Sequence, residues 1–220
     1  MYFQKVMKGI KGISANEVTT IISQSGIVSN WWRTMGTITP DAIKQQLTEG
    51  NVLNHLNHYD DALPVHHPLY QAGKYITYGD VTPFISTTAG AVQRQASAGR
   101  NIRFPAFMTA LRFATGNFKT TGHIFYAYLI TLGKKAIPLS QFSEEARELH
   151  IYRSFLPYHG EGEIVAKIHI PAIQIEKVEE YDGPAVRNAL KQHRMPVPTN
   201  KTKNLIYTPP EKYSNIREYF

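Results

Sequence analysis

No cysteine occurs among the 220 residues of this chain. That excludes disulfide scaffolds, Cys-ligated zinc, iron–sulfur centres and thiol nucleophiles, and it fits work in a reducing compartment. No run approaches the roughly 18 consecutive apolar residues that span a bilayer, so no membrane partner is expected. The opening Met1-Tyr2-Phe3-Gln4-Lys5 lacks the apolar stretch and small-residue cleavage site of a secretory signal. The expected place of action is therefore the cytoplasm, of the producing cell or of a target cell. No Gly-x-x-x-x-Gly-Lys-Ser/Thr loop is present to cradle phosphates, and Lys8-Gly9-Ile10-Lys11-Gly12-Ile13 is not one. His66-His67 and the scattered His58, His123, His159 and His169 lack the helical i, i+4 spacing and the Cys partners of zinc sites, so no metal is expected.

What is present is enough apolar residue for a packed core: 42% hydrophobic against 19% charged excludes wholesale disorder. The net charge of +7 is uneven, because Pro184 to Phe220 holds seven basic and two acidic residues and so five of the seven excess charges. Such a segment attracts nucleic acid or an acidic partner, or simply wraps the domain as a solvated extension. Its Pro196, Pro198, Pro209 and Pro210 argue against regular structure.

Local patterns outline the elements. A helical stretch is expected near Ser14–Ser23, and Asn30-Trp31-Trp32-Arg33-Thr34 reads as a short, bulky strand. Thr39-Pro40-Asp41 combines a hydroxyl N-cap, proline at the first helical position and an early acid, which starts a helix that stops near Gly50. A loop rich in His, Tyr and Asp covers roughly 54–80. Strands are expected at Thr82–Thr88, His123–Ile130, Glu163–Ile170 and Ile173–Tyr181, and helices at 105–115 and Ser143–Leu149. Glu163–Ile170 alternates, with Ile164, Ala166, Ile168 and Ile170 on one side. Helices early and strands late predict an α+β fold rather than βαβ winding.

Three features carry candidate chemistry. Glu161-Gly162-Glu163 offers two carboxylates on one face of a strand, suited to stabilising positive charge and accepting a proton, or it is a polar turn. Ser86-Thr87-Thr88 at a strand end can orient a carboxylate or phosphate, or cap a following helix. Arg33 among aromatics needs a partner, either a structural acid or a bound phosphate.

Taken in order, Trp32-Arg33-Thr34, Thr39-Pro40-Asp41-Ala42-Ile43, Asn51–Leu56, Phe84-Ile85-Ser86-Thr87-Thr88, Gly122–Phe125 and Glu161-Gly162-Glu163 leading to Ile170-Pro171 resemble one family. It is that of the bacterial mono-ADP-ribosyltransferase toxins of the cholera and pertussis type, with an Arg, a Ser-Thr-Ser and a Glu-x-Glu. The resemblance covers about residues 31–182. It implies two small packed antiparallel or mixed sheets with peripheral helices. It also implies a leader or linker at 1–28, a catalytic domain at 29–183 and a basic extension at 184–220. By the same resemblance, Glu163 is the catalytic glutamate, Ser86 positions it, and Thr87 and Thr88 line the same edge. Glu161 engages the acceptor, Arg33 holds the NAD phosphate and ribose region, and His55 matches a histidine near the first-helix loop. His150 to Gly160 falls where the family has its substrate-recognition loop. Phe84, with Tyr75, Tyr78 and Tyr158, is a candidate for stacking on nicotinamide or adenine. The chain departs from the family at Met35, where the toxins carry an acid, and in Ser-Thr-Thr for Ser-Thr-Ser.

The implied activity is transfer of ADP-ribose from NAD, the co-substrate, to arginine on a protein. Its bearer would be a toxin or effector, with an immunity or antitoxin protein as a further partner. One alternative is ADP-ribosylation of RNA or DNA, motivated by the basic tail; another is a non-catalytic binding module.

Overall fold

Residues 2–11 form β1 (Tyr2–Lys11), which runs through the middle of the main sheet and pairs over its whole length with β4 (Gly122–Thr131). The computed structural model describes residues 2–34, 39–89, 105–131, 149–151 and 163–218. Segment 1–28, expected as a leader or linker, therefore supplies a central strand. Its pattern hides this because Phe3, Gln4, Val6 and Met7 are all buried, so the strand is covered on both faces and shows no alternation.

The architecture is α+β, and the described residues form two unequal sheets, of eight and two strands, with peripheral helices. In the large sheet β5 (Leu149–Ile151), β6 (Glu163–Lys167), β3 (Phe84–Ala89), β1, β4, β8 (Ile175–Tyr181) and β9 (Asn200–Lys203) follow one another with antiparallel pairing. β10 (Arg217–Glu218) lies parallel to β1 at Tyr2 and Phe3. The small sheet joins β2 (Ile27–Val28) to β7 (His169–Ile170).

The helices start where their caps predict. Ser14 and Glu17 form a capping box on α1 (Ala15–Thr20), which continues as a π-helical turn over Ile21–Ser25. Thr39 caps α3 (Pro40–Gln46). Asn30–Thr34, expected as a strand, is instead a helical turn, α2. Tertiary contacts override β propensity here: Trp31 is buried and its backbone N–H donates to Thr82 O, while the Asn30 side-chain amide donates to Gly79 O. The helix expected to stop near Gly50 ends at Gln46, and Thr48 caps a further helix, α4 (Glu49–Asn57), whose last residues enter the loop expected at 54–80. Beyond it come α5 (Tyr78–Val81), α6 (Pro105–Ala114) and α7 (Gly183–Lys191). Of the helix expected at Ser143–Leu149, residues 143–148 lie outside the described residues and Leu149 opens β5.

Alternation sorts the core. Val6, Ile85, Phe125, Ile164 and Ala166 pack on one face of the sheet with Val18 and Ile22. Met7 and Ile124 pack on the other, under Phe107, Ala110 and Leu111 of α6. Trp31, Leu47, Val52, Phe84 and Val165 form a third cluster with Ile168. Ile168 belongs there, and not with Ile164 and Ala166 as its parity predicts, because its φ of 56° breaks the strand. The basic segment is also tied down: β9 pairs with β8, Val186 is buried, and the Asn204 amide donates to Ala172 O and Ile175 O. Among the described residues no helix is long and apolar enough to cross a membrane.

Candidate functional site

Among the described residues β1 and β3 are paired at Val6↔Ala89 and Met7↔Thr88. Before that point β3 runs beside β6 alone, with Ser86 opposite Val165, Thr87 opposite Ile164 and Thr88 opposite Glu163. Period-two alternation gives Phe84, Ser86 and Thr88 one side of the strand and Ile85 and Thr87 the other. Phe84 lies in the Trp31 cluster and Thr88 is paired to Met7 of the α6 cluster, so Ser86 falls between two packed regions.

His55 reaches this place from α4. Its Nε2 lies 2.8 Å from Ser86 Oγ and its Nδ1 lies 2.8 Å from Thr82 Oγ1. Thr82 Oγ1 also accepts the Phe84 N–H at 3.2 Å. The imidazole meets Phe84 and Tyr59 edge-on, at centroid distances of 5.9 and 5.5 Å. Only 3% of His55 is exposed. Burial, reinforced by the charge of Lys8, pushes its pKa down to about 3, so the ring is neutral at any ordinary pH. Beside it, a shallow hollow of about 280 Å³ open to solvent is lined by Gln46, Asn51, Asn54, His67, Tyr78 and Thr82.

The other expected site residues divide. Thr88 is buried and donates to Met7 O at 3.3 Å. Thr87, expected on the same edge as Ser86, points to the opposite face and donates to Ile164 O at 2.6 Å. Alternation separates neighbours on a strand, so Thr87 cannot share the Ser86 surface. Phe84 is buried against His55 and is not exposed as a stacking platform; it serves as the wall that holds the imidazole. Arg33 is not on a first strand but in α2, exposed, where its guanidinium donates to Asn30 Oδ1. Its charge is felt by Tyr59, whose ring touches His55, and no hydrogen bond joins it to Ser86. The backbone of Glu163 stands in β6 opposite Thr88, whereas Glu161 lies outside the described residues. Of His150–Gly160, His150 and Ile151 belong to β5 and the remainder lies outside the described residues.

Two contributors were missed in the sequence. Thr82 was read only as a strand start, yet it has the same parity as Phe84 and Ser86 and precedes Pro83, which favours the extended backbone. Lys8, whose charge helps lower the His55 pKa, lies in a stretch that matches no phosphate-loop pattern and carries no other signal. No group of three His, Cys, Asp or Glu side chains that could hold a metal occurs among the described residues.

No protein-family model matches the chain, and no curated protein does. Two solved structures align with the chain. A chain named EcPltA is 14% identical, with a TM-score of 0.42 over 98% of this chain and 91% of that one. A heat-labile enterotoxin mutant, described for the flexibility of an active-site loop in its A subunit, is 14% identical, with a TM-score of 0.29 over 83% of this chain and 79% of that one. Likeness at this level carries no conclusion about activity.

Proposed function

We propose that this chain is an NAD-dependent mono-ADP-ribosyltransferase that modifies arginine on a target protein, as a toxin or effector. What carries the reading is one relationship. Residues 55, 86 and 163, far apart in sequence, come to adjacent elements: His55 bonds to Ser86, and Glu163 is in register two residues along β6 from the residue opposite Ser86. The motif order Arg, His, Ser-Thr, Glu-x-Glu supports the same reading.

NAD supplies a ribose carbon joined to a positively charged nicotinamide leaving group. In this proposal the Glu163 carboxylate stabilises the positive charge that develops on that carbon, and Ser86 fixes the carboxylate by hydrogen bonding. Neutral His55 fixes Ser86 in turn. Arg33 is free of any acidic partner among the described residues and is exposed, so its fork can turn to a pyrophosphate on the Tyr59 side of His55. Glu161 aligns the incoming guanidinium, a cation that pairs naturally with a carboxylate. The fit to NAD is thus good at Ser86 and His55. At Arg33 it depends on a reach from α2 rather than a seat in the cleft.

A second reading, transfer to RNA or DNA, has one observation in its favour. Arg187, Lys191, Arg194, Lys201, Lys203, Lys212 and Arg217 are all exposed, a surface suited to a polyanion. The experiment that separates the two is incubation of the full chain with labelled NAD and a cell lysate, followed by nuclease or protease digestion. Label that survives nuclease and is released by protease is the expected result. Label lost to nuclease would move the acceptor to nucleic acid, and unconsumed NAD would end both readings.

A further inference from the structure

His55 is neutral and almost wholly buried, so it carries a single N–H and has two ways to use its two hydrogen-bond partners. Counting hydrogens decides between them. If Nδ1 carries the proton, Thr82 Oγ1 accepts from both Nδ1–H and the Phe84 N–H, and its own O–H has nowhere to go. Thr82 is itself only 4% exposed, and among the described residues it makes no other side-chain hydrogen bond. A buried orphan O–H costs about 1–3 kcal/mol. If Nε2 carries the proton, every group is satisfied. Thr82 accepts from Phe84 and donates to Nδ1, while Nε2–H donates to Ser86 Oγ. Ser86 is half-buried and not sealed in, so its hydroxyl hydrogen remains available.

We propose that Thr82 is a positioning residue that locks His55 as the Nε2–H tautomer, which makes Ser86 a hydrogen-bond donor toward the site. The chain of polarity runs one way: Phe84 N–H to Thr82, Thr82 O–H to His55, His55 N–H to Ser86, and Ser86 O–H outward. The hydrogen that Ser86 turns outward then calls for an acceptor, such as a carboxylate or a sugar oxygen. Its use for the Glu163 carboxylate rests on the function proposed above; the tautomer itself does not.

The test is long-range ¹H–¹⁵N correlation on the ¹⁵N-labelled full chain at neutral pH, with His55 assigned by its loss in His55→Gln. The expected pattern is a pyridine-like Nδ1 and a pyrrole-like Nε2. Thr82→Val should draw the two nitrogen shifts toward each other as the preference is lost, and Thr82→Ser should restore the native pattern. Ser86→Ala should leave Nδ1 as the acceptor. A pyrrole-like Nδ1 in the native chain overturns the proposal. So does a native pattern that persists in Thr82→Val, or a flip in Ser86→Ala. Where Thr82→Val fails to fold, Thr82→Ala takes its place, and the native and Ser86→Ala spectra still decide. NAD turnover in the same samples keeps the two ideas apart. The predicted tautomer with no turnover defeats only the proposed activity, while turnover with the opposite tautomer defeats only this assignment. With turnover present, Thr82→Val should lower kcat about five- to tenfold, as expected for one lost hydrogen bond, and Thr82→Ser should recover it.

Discussion

His55 Nε2 lies 2.8 Å from Ser86 Oγ, an α-helix touching a β-strand across 31 residues of chain. The pair exists because the ring is buried and uncharged, and this has a thermodynamic consequence. Burial, with Lys8 nearby, holds the folded-state pKa of His55 down to about 3 against 6.5 when unfolded. Between those values the unfolded chain binds a proton that the folded chain refuses. Stability is therefore fully present above pH 6.5 and falls as the pH drops toward 3. Each pH unit in that window should cost up to about 1.4 kcal/mol from this residue. Urea unfolding of the native chain and His55→Gln across pH 4 to 8 checks it. The variant should lose this part of the slope; identical slopes would mean that the imidazole charges without penalty.

Glu179 poses a second buried-charge question, in the sheet and away from the candidate site. Its Oε2 accepts from Tyr126 and Tyr181, each at 2.8 Å, and its Oε1 accepts from Lys177 at 2.8 Å, with Lys201 at 3.8 Å. Burial alone would raise this carboxyl, but hydrogen bonds from Lys177, Tyr126 and Tyr181 and the Lys177 charge outweigh it, so the net shift is downward. A lowered carboxyl stabilises the fold above its unfolded pKa, and that contribution disappears as the pH falls through the folded value. Glu179→Gln keeps one acceptor but turns an amide N–H₂ toward donors. It should cost about 1–3 kcal/mol at neutral pH, and Tyr126→Phe about 1 kcal/mol. Denaturant titration measures both, and a neutral outcome for Glu179→Gln would show that the cluster contributes nothing net.

Two glycines should respond in opposite directions to the same substitution. A Cβ on Gly122 would lie 1.6 Å from Ala114 O, because the end of α6 rests directly on the β4 backbone. Gly122→Ala should therefore force the helix off the sheet and cost about 3 kcal/mol or more. Gly50 sits in the first turn of α4, and the nearest atom to an added Cβ is Thr48 Oγ1 at 4.0 Å. Gly50→Ala should stabilise by about 0.5 kcal/mol, from helix propensity alone. Thermal melts of the two variants compare them directly. A stable Gly122→Ala would contradict the packing of α6.

Where local chemistry sets the outcome, the elements were legible. Ser14 and Thr39 announce their helices, and the expected strands cover most of β4 and all of β8. Illegible parts are those that long-range contacts decide. Trp31 and Trp32 read as strand until Trp31 is buried against Phe84 and Val165. β1 has no alternation to read because both its faces are covered. Ile168 switches sides through a positive φ that no neighbour in sequence predicts. At the candidate site the residue types were legible, since Ser86 and His55 were both singled out. Thr82, on the Nδ1 side of the imidazole, was not, because its contact arises from α4 folding back onto the start of β3.

The proposed chemistry makes unequal demands on Glu163, Ser86 and Arg33. Losing a preorganised carboxylate beside developing positive charge removes an interaction made mainly in the transition state. Glu163→Gln should thus lower kcat for NAD cleavage by roughly 10²–10³-fold or more with KM little changed. Ser86→Ala leaves that charge in place but less well held, so its loss in kcat should be smaller, about tenfold. Arg33 is different in kind. In the proposed function it acts from an exposed turn of α2 on a phosphate that is the same in ground and transition states, so Arg33→Ala should raise KM and spare kcat. Arg33→Lys should rescue only part of that, because an ammonium cannot copy a forked contact. Steady-state release of nicotinamide gives kcat and KM for all four variants. An Arg33→Ala enzyme that loses kcat as severely as Glu163→Gln would mean that the guanidinium swings into the cleft, contrary to its seat beside Asn30.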